Sequence, residues 1–239
     1  MIVPEKNIDV LRDHIKTYDA DGIIRHIMSE YGQRAVIASS LSIEDQVLLH
    51  MAITADKNAR IFTLDTGRLN QETYDVMDET RRRYDMRFEV FAPHAEDIEA
   101  MENEHGPNLF RESVEKRKQC CSVRKVKPLS RVLGTADIWI TGMRREQAVT
   151  RSLIETVEWD EANGLIKVNP LADWTTEMVW SYINDNNVPY NRLYSEGYTS
   201  IGCACCTRAI QDGEDARAGR WWWENPEHKE CGLHFRSKK

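Results

Sequence analysis

The chain has 239 residues, 41% of them hydrophobic and 30% charged, with a formal net charge of −7. That describes one large globular domain, or one domain with an appended segment, long enough to bury a full core. The acidic balance disfavours a general nucleic-acid binder, and no run is apolar and long enough to span a membrane.

The opening MIVPEKNIDV lacks a basic stretch followed by an apolar one, so no signal peptide and a cytoplasmic location are expected. Residues 7–31 read as a helical region with a break at Gly22. RAVIASS (34–40) is a short apolar run ending in serines, the pattern of a buried strand, and IEDQVLLHMA (43–52) has helical character. ARIFTLD (59–65) predicts a second strand with a turn at Thr66-Gly67, and residues 70–84 a charged helix. RFEVFAP (87–93) and DIWITGM (137–143) complete four strands. LIETVEW (153–159) and LIKVNP (165–170) read as a late hairpin around Asn163-Gly164, and residues 173–187 as a helix. Strands alternating with helices predict an α/β fold with a mainly parallel central sheet. Residues 190–239 read as loop-rich.

The six cysteines fall into two clusters and an outlier. KQCCSVRK carries the adjacent pair Cys120 and Cys121. IGCACCTR carries a C-x-x-C, Cys203 to Cys206, with Cys205 inside it. Cys231 stands alone in RWWWENPEHKECGLH (220–234). In a reducing compartment such clusters point to metal binding or catalysis rather than disulfides. Two distant pairs can supply four thiolates to one centre. A structural zinc ion takes four cysteines, usually from two C-x-x-C knuckles. An adjacent pair suits zinc poorly and suits an iron–sulfur cluster better, because its thiolates are spread over several irons. Simple burial is the third reading, most plausible for Cys205.

SSLSIEDQVLL (39–49) sits where a strand gives way to a helix. Ser42 is the expected N-cap, with Asp45 three residues on in a capping-box-like pair. Such a helix start offers free backbone N–H groups to an anion. It is not a Walker A loop, since G-K-[ST] is absent, and it lacks both glycines of an S-G-G-x-D-S pyrophosphate loop. The basic run KRKQCCSVRKVK (116–127) surrounds cysteines in an acidic chain, so it is read as charge placed around a thiolate centre and an anionic substrate rather than as a nucleic-acid patch.

Together KQCCSVRKVKPLSRVL, SIGCACCTR, RWWWENPEHKECGLH, FTLDTGRL and TGMRREQ resemble the assimilatory adenylyl-sulfate (APS) reductases of the phosphoadenylyl-sulfate (PAPS) reductase family, over about residues 35–235. The resemblance implies a fold related to the ATP pyrophosphatases, adenine nucleotide alpha hydrolase-like. It implies a [4Fe-4S] cluster on Cys120, Cys121, Cys203 and Cys206, with Cys231 as nucleophile. Residues 1–206 would form the nucleotide-binding and iron–sulfur domain, and 207–239 a tail carrying Cys231. Ser39, Ser40 and Ser42 become phosphate ligands, and Leu64 meets adenine through its backbone. Lys125 lies beside the cluster, while Arg217, Arg220 and His234 contact substrate. In TGMRREQAVTR (141–151), Arg145 is preferred over Arg144 and Arg151 for anion binding. Cys205 departs from the family, in which proline is common at that position. The implied activity is reduction of APS to sulfite and AMP, with thioredoxin or a similar dithiol as reductant. PAPS is the alternative substrate, and an ATP-dependent adenylating or sulfur-transferring enzyme the more distant one. The sequence leaves self-association open.

Overall fold

The computed structural model describes residues 7–148 and 151–225. Six strands form one sheet in the order β3-β2-β1-β4-β6-β5. They are β1 (Ala35–Ala38), β2 (Arg60–Leu64), β3 (Glu89–Phe91), β4 (Ile138–Ile140), β5 (Val157–Asp160) and β6 (Leu165–Val168). All neighbouring pairs are parallel except β5 with β6, which are antiparallel. The expected hairpin is there, and its turn passes through Gly164 at φ +66°, a left-handed conformation that glycine adopts without a Cβ penalty.

Period-two alternation sorts the strand side chains onto two faces. On one face Ile37, Ile61, Ile138, Ile140, Ile166 and Val168 pack under helices α2 (Ala20–Tyr31), α3 (Ile43–Ala55) and α8 (Thr176–Asn186). On the other, Val36, Phe62, Trp139 and Leu165 pack against Leu129, Val132 and Leu133 of α7 (Lys127–Leu133). Each fully buried aliphatic side chain contributes about 1.5–3 kcal/mol. The helix α1 (Asn7–Ile15) covers the β5 edge, where Arg12 donates twice to the Val157 carbonyl.

The break in the N-terminal helical region lies at residues 16–19 rather than at Gly22. Asp19 caps α2 by accepting from the Gly22 N–H at 2.8 Å, so Gly22 belongs to the first helical turn. Helix α4 (Gln71–Tyr84) follows β2 as expected. Between β3 and β4 the chain forms helices that the apolar pattern does not announce. In α5 (Ala95–His105) only Met101 is buried. Next comes α6 (Val114–Cys121), which continues through a π-helical turn at Ser122–Val126 into α7. No helix among the described residues is long and apolar enough to cross a membrane.

The chain steps outward from β1 to β3, then crosses back to β4 on the other side of β1. The switch point therefore lies between β1 and β4, and the loops leaving β1, β2 and β4 open at one end of the sheet. Ligands of open α/β sheets bind there.

Candidate active site

A cavity of about 420 Å³ opens at this end of the sheet. Ser39, Ser40 and Ser42 line it after β1, Leu64 and Thr66 after β2, and Thr141, Gly142 and Met143 after β4. Lys125 reaches it from the π-helical turn, and Arg217 and Arg220 from the start of the C-terminal segment. Of the expected binding residues within the described chain, the structure gathers Ser39, Ser40, Ser42, Leu64, Lys125, Arg217 and Arg220. His234 and Cys231 lie outside the described residues.

Arg145 is not gathered. Its Nε donates to the Ile154 carbonyl at 2.7 Å and its guanidinium pairs with Asp173, which turns it away from the cavity. Arg144 and Arg151 line the cavity in its place. Arg144 is buried; Nε and Nη2 both donate to Glu44 Oε1, at 3.1 and 2.9 Å, and Nη1 donates to Glu146 and the Trp174 carbonyl. This pairing locks the loop after β4 onto the start of α3.

The β1–α3 loop is unusual. Leu41 has φ +62° and is 1% exposed. A non-glycine residue in the left-handed region costs roughly 1–2 kcal/mol, here set against burial of its side chain. Ser42 occupies the N-cap position of α3, but its side chain caps no backbone N–H. The anticipated capping box is replaced by a different arrangement. The Asp45 carboxylate accepts from the Ser40 N–H at 2.6 Å and from Ser40 Oγ at 2.7 Å. Burial pushes the Asp45 carboxyl up to about 6, against the Ser40 hydrogen bonds that favour its charge. Gly142 closes over it: a Cβ there would come within 2.6 Å of Asp45 Oδ1, so only glycine fits.

The cysteines lie beside the cavity. Cys120, Cys121, Cys203 and Cys206 are all buried, while Cys205 is half-buried, and all five are free thiols. The two segments meet. Cys120 is influenced by Cys203, and Cys206 by both Cys203 and Cys121. The loop after β2 joins them to the cavity: Thr66 Oγ1 lies 3.3 Å from Cys203 Sγ, and the Ala204 N–H donates to the Arg68 carbonyl at 2.8 Å. Three arginines surround the thiols. Arg124 Nη1 donates to the Thr66 carbonyl and Nη2 to Glu102, while Arg68 Nη1 lies 3.9 Å from Cys205 Sγ. Arg117 is fully buried, paired through Nε and Nη2 with both oxygens of Glu224 at 2.9 Å and stacked 4.6 Å from the Trp221 ring. Burial raises the Cys120 thiol. The hydrogen bond with Cys206 and the Arg68 cation lower Cys205 to about 6 and leave Cys206 raised.

Among the described residues no group of three or more Cys, His, Asp or Glu is arranged to hold a single metal ion. The donor chemistry does fit a larger thiolate-held centre: four buried thiols from two converging segments, with cations placed to offset the negative charge such a centre carries. Sequence reasoning placed Arg117 and Arg124 in this neighbourhood through the basic run, but it missed Glu44, Glu102 and Glu224, and it read Asp45 as a helix-capping residue rather than as the partner of Ser40. Acidic residues in an acidic chain carry no local signal of burial.

The start of the C-terminal segment docks on this centre. Trp221 is 1% exposed, and its backbone N–H donates to the Cys206 carbonyl at 3.1 Å. Trp223 packs 6.1 Å from Phe110, and Arg111 lies over both Trp222 and Trp223. Arg220 is buried, donates through Nη1 to Ser200 Oγ and the Ile201 carbonyl at 3.2 Å, and among the described residues has no hydrogen-bond acceptor at Nε. The backbone of Gly202 lies against its guanidinium. Arg208, by contrast, is held by Glu214 through both carboxylate oxygens and stays out of the cavity.

Residues 34–209 match the phosphoadenosine phosphosulfate reductase domain family. The chain belongs to this family. It is 53% identical over 201 residues to the adenosine 5'-phosphosulfate reductase of Allochromatium vinosum, which covers 84% of this chain and 78% of the relative. The adenosine 5'-phosphosulfate reductase of Burkholderia cepacia is 49% identical, over 87% of this chain and 85% of that one. Among solved structures, the phosphoadenylyl-sulfate reductase of Candida auris, in a phosphate complex, superposes with a TM-score of 0.73 at 25% identity, covering 88% of this chain and 99% of that one. The FMN adenylyltransferase of Candida glabrata, solved with ATP, shares the fold with a TM-score of 0.53 at 14% identity, over 96% of this chain and 78% of that one. The fold shared with these structures is the one built here around the β1–β4 switch point.

Proposed function

We propose that the chain reduces adenylyl sulfate to sulfite and AMP; two of its relatives are named adenosine 5'-phosphosulfate reductases. The observation that carries the proposal is the junction of two sites: an anion-binding cavity lined by Lys125, Arg217 and Arg220, and a buried group of four thiols against the same C-terminal segment. The adenine of the substrate lies toward Leu64 and its phosphate toward Ser39, Ser40 and Ser42. The sulfate end lies toward the arginines, whose guanidinium forks suit phosphate and sulfate oxygens.

Cys231 is the nucleophile. Its thiolate attacks the sulfur of APS, the bond from sulfur to the phosphate oxygen breaks, and AMP leaves with the bonding pair. The product is a thiosulfonate on Cys231. A thiolate of an external dithiol then attacks Cys231 Sγ, expels sulfite and forms a mixed disulfide. The second thiol of that dithiol resolves the disulfide and restores the Cys231 thiolate. Thioredoxin or a similar small protein dithiol is the reductant, and the cytoplasm supplies it in reduced form. A free thiol titrates at about 8.5, so cations near Cys231 raise the reactive fraction, a role suited to Lys229, His228 and His234.

Cys120, Cys121, Cys203 and Cys206 would hold a [4Fe-4S] cluster. Bound there, it supplies fixed charge beside the sulfate; neither displacement needs an electron from it. Arg68, Arg117 and Arg124 hold the thiol segments and balance that charge. Tail residues 207–239 bring Cys231 to the cavity, with Trp221 and Glu224 as the anchor.

Mass analysis of the iron-loaded protein mixed anaerobically with APS, without reductant, tests this. An added SO3 on the Cys231 peptide is expected. No adduct with APS, but one with PAPS, would move the substrate to the 3′-phosphorylated nucleotide. No adduct with either would sink the two-displacement mechanism.

A further inference from the structure

Four cysteines suffice for the thiolate centre, and Cys205 is left over. It does not stand apart from the others: it packs, half-buried, against the buried group that contains Cys120, Cys203 and Cys206. Residues Ala204–Cys206 form one 3-10 turn that begins at Cys203. Three residues per turn place Cys203 and Cys206 on one side and turn the residue between them away. Cys205 nevertheless brings its Sγ to 3.8 Å from Cys206 Sγ. Two thiolates on one tetrahedral metal ion, each about 2.3 Å from it, stand about 3.8 Å apart. Cys205 and Cys206 are thus spaced to reach the same metal ion. In a four-iron cluster held by four cysteines each iron takes one thiolate, so the two compete for a single position.

The surroundings make Cys206 the resident. It is 8% exposed, its N–H donates to the Cys203 carbonyl at 2.9 Å, and its carbonyl accepts from the Trp221 backbone. Cys205 faces Arg68, whose Nη1 lies 3.9 Å from its Sγ and whose Nη2 donates to Glu102 and to the Pro107 carbonyl. We propose that Cys205 is a second ligand for the iron that Cys206 serves, and takes that position when Cys206 is displaced. The inference rests on the reading of the thiol group as a [4Fe-4S] site. In the exchange Cys205 gives up its proton as it binds, and Cys206 takes one on as it leaves. One thiolate replaces another, so the charge and the electron count of the centre are unchanged. The proline common at this position in the family has no sulfur to offer, so the exchange belongs to the C-x-C-C pattern of this chain.

Anaerobic reconstitution of the full-length protein tests it in wild type, Cys205→Ala, Cys206→Ala and the double variant. Wild type and Cys205→Ala should each hold about four irons and four sulfides per chain. Cys206→Ala should keep at least about two thirds of that iron, and the double variant should lose at least about three quarters of it. Peptide mass analysis after alkylation should find Cys205 at least about threefold less modified in loaded Cys206→Ala than in loaded wild type. Iron lost as fully from Cys206→Ala as from the double variant would overturn the proposal. Retained iron with Cys205 still open to alkylation would do the same. Release of iron to a chelator gives a measurement that does not depend on the folding of a Cys206 variant. Cys205→Ala should lose its iron at least about threefold faster than wild type, and an equal rate counts against the exchange. Wild type that binds one zinc without sulfide, or no metal at all, would remove the cluster reading itself and this inference with it.

Discussion

The two walls of the cavity solve opposite electrostatic problems. On the β1–α3 side the ionic groups are satisfied internally: Asp45 by Ser40, and Arg144 by Glu44 and Glu146. On the thiol side the arginines outnumber the carboxylates they meet. Arg68 and Arg124 share Glu102, and among the described residues Arg220 retains a buried Nε with no acceptor. One wall has its ionic groups hydrogen-bonded or paired within the loops that carry them. The other keeps positive capacity for a negatively charged sulfate and thiolates. The difference teaches that an anionic substrate need not be held by a uniformly basic pocket, which agrees with a chain whose net charge is −7.

The largest test of that division is at the proposed nucleophile. Cys231→Ser should lower kcat by at least about 1000-fold and abolish the SO3 adduct, while AMP binding measured by titration stays within about threefold. Retained turnover would shift the covalent chemistry to another thiol. Next in size is the anchor beneath the thiol wall. Glu224→Leu leaves the Arg117 guanidinium buried without its partner, so unfolding should come about 3–5 kcal/mol sooner in a denaturant titration. A change under 1 kcal/mol would mean the pair is not buried in solution.

Arg220→Ala removes a charge-assisted donor from the cationic wall. The KM for APS should rise about 10- to 100-fold, with a smaller change in AMP affinity. Equal weakening for both ligands would place Arg220 at the nucleotide rather than the sulfate.

Asp45→Asn probes the β1–α3 wall through stability. The folded Asp45 carboxyl titrates at about 6, above its unfolded value, so the native state holds the proton longer and loses stability as pH rises through that window. The variant escapes this loss. It should be more stable than wild type by about 1–3 kcal/mol at pH 7.5, and the gap should close below pH 4. A gap that persists at low pH would point to packing instead. The smallest effect is expected at Arg145→Ala, whose side chain is turned to Ile154 and Asp173; KM should change less than about threefold.

Much of the fold was legible because apolar strand runs are strong local signals. RAVIASS, ARIFTLD and DIWITGM all became strands of the sheet, and Asn163-Gly164 marked the hairpin turn. Helix α5 escaped because it buries a single residue and so shows no apolar stripe. Helix α6 escaped because its buried residues are Arg117, Cys120 and Cys121, which no hydrophobic pattern would select. The serine loop was found by position, yet its hydrogen bonding was not: Asp45 three residues after Ser42 looks like a capping box, and only the tertiary setting turns its carboxylate to Ser40.

The sequence by itself determined the succession of strands along the chain, the cysteine spacing and the family, because these rest on local periodicity and on residue types whose chemistry is rare. The tertiary structure decided which of the neighbouring Arg144, Arg145 and Arg151 face the cavity, since adjacent side chains diverge and only the packing of the loop after β4 selects among them. It also decided that Glu44, Glu102 and Glu224 are partners of buried or half-buried arginines. Pairing across 22 to 107 residues depends on how the chain closes on itself, which no local pattern encodes.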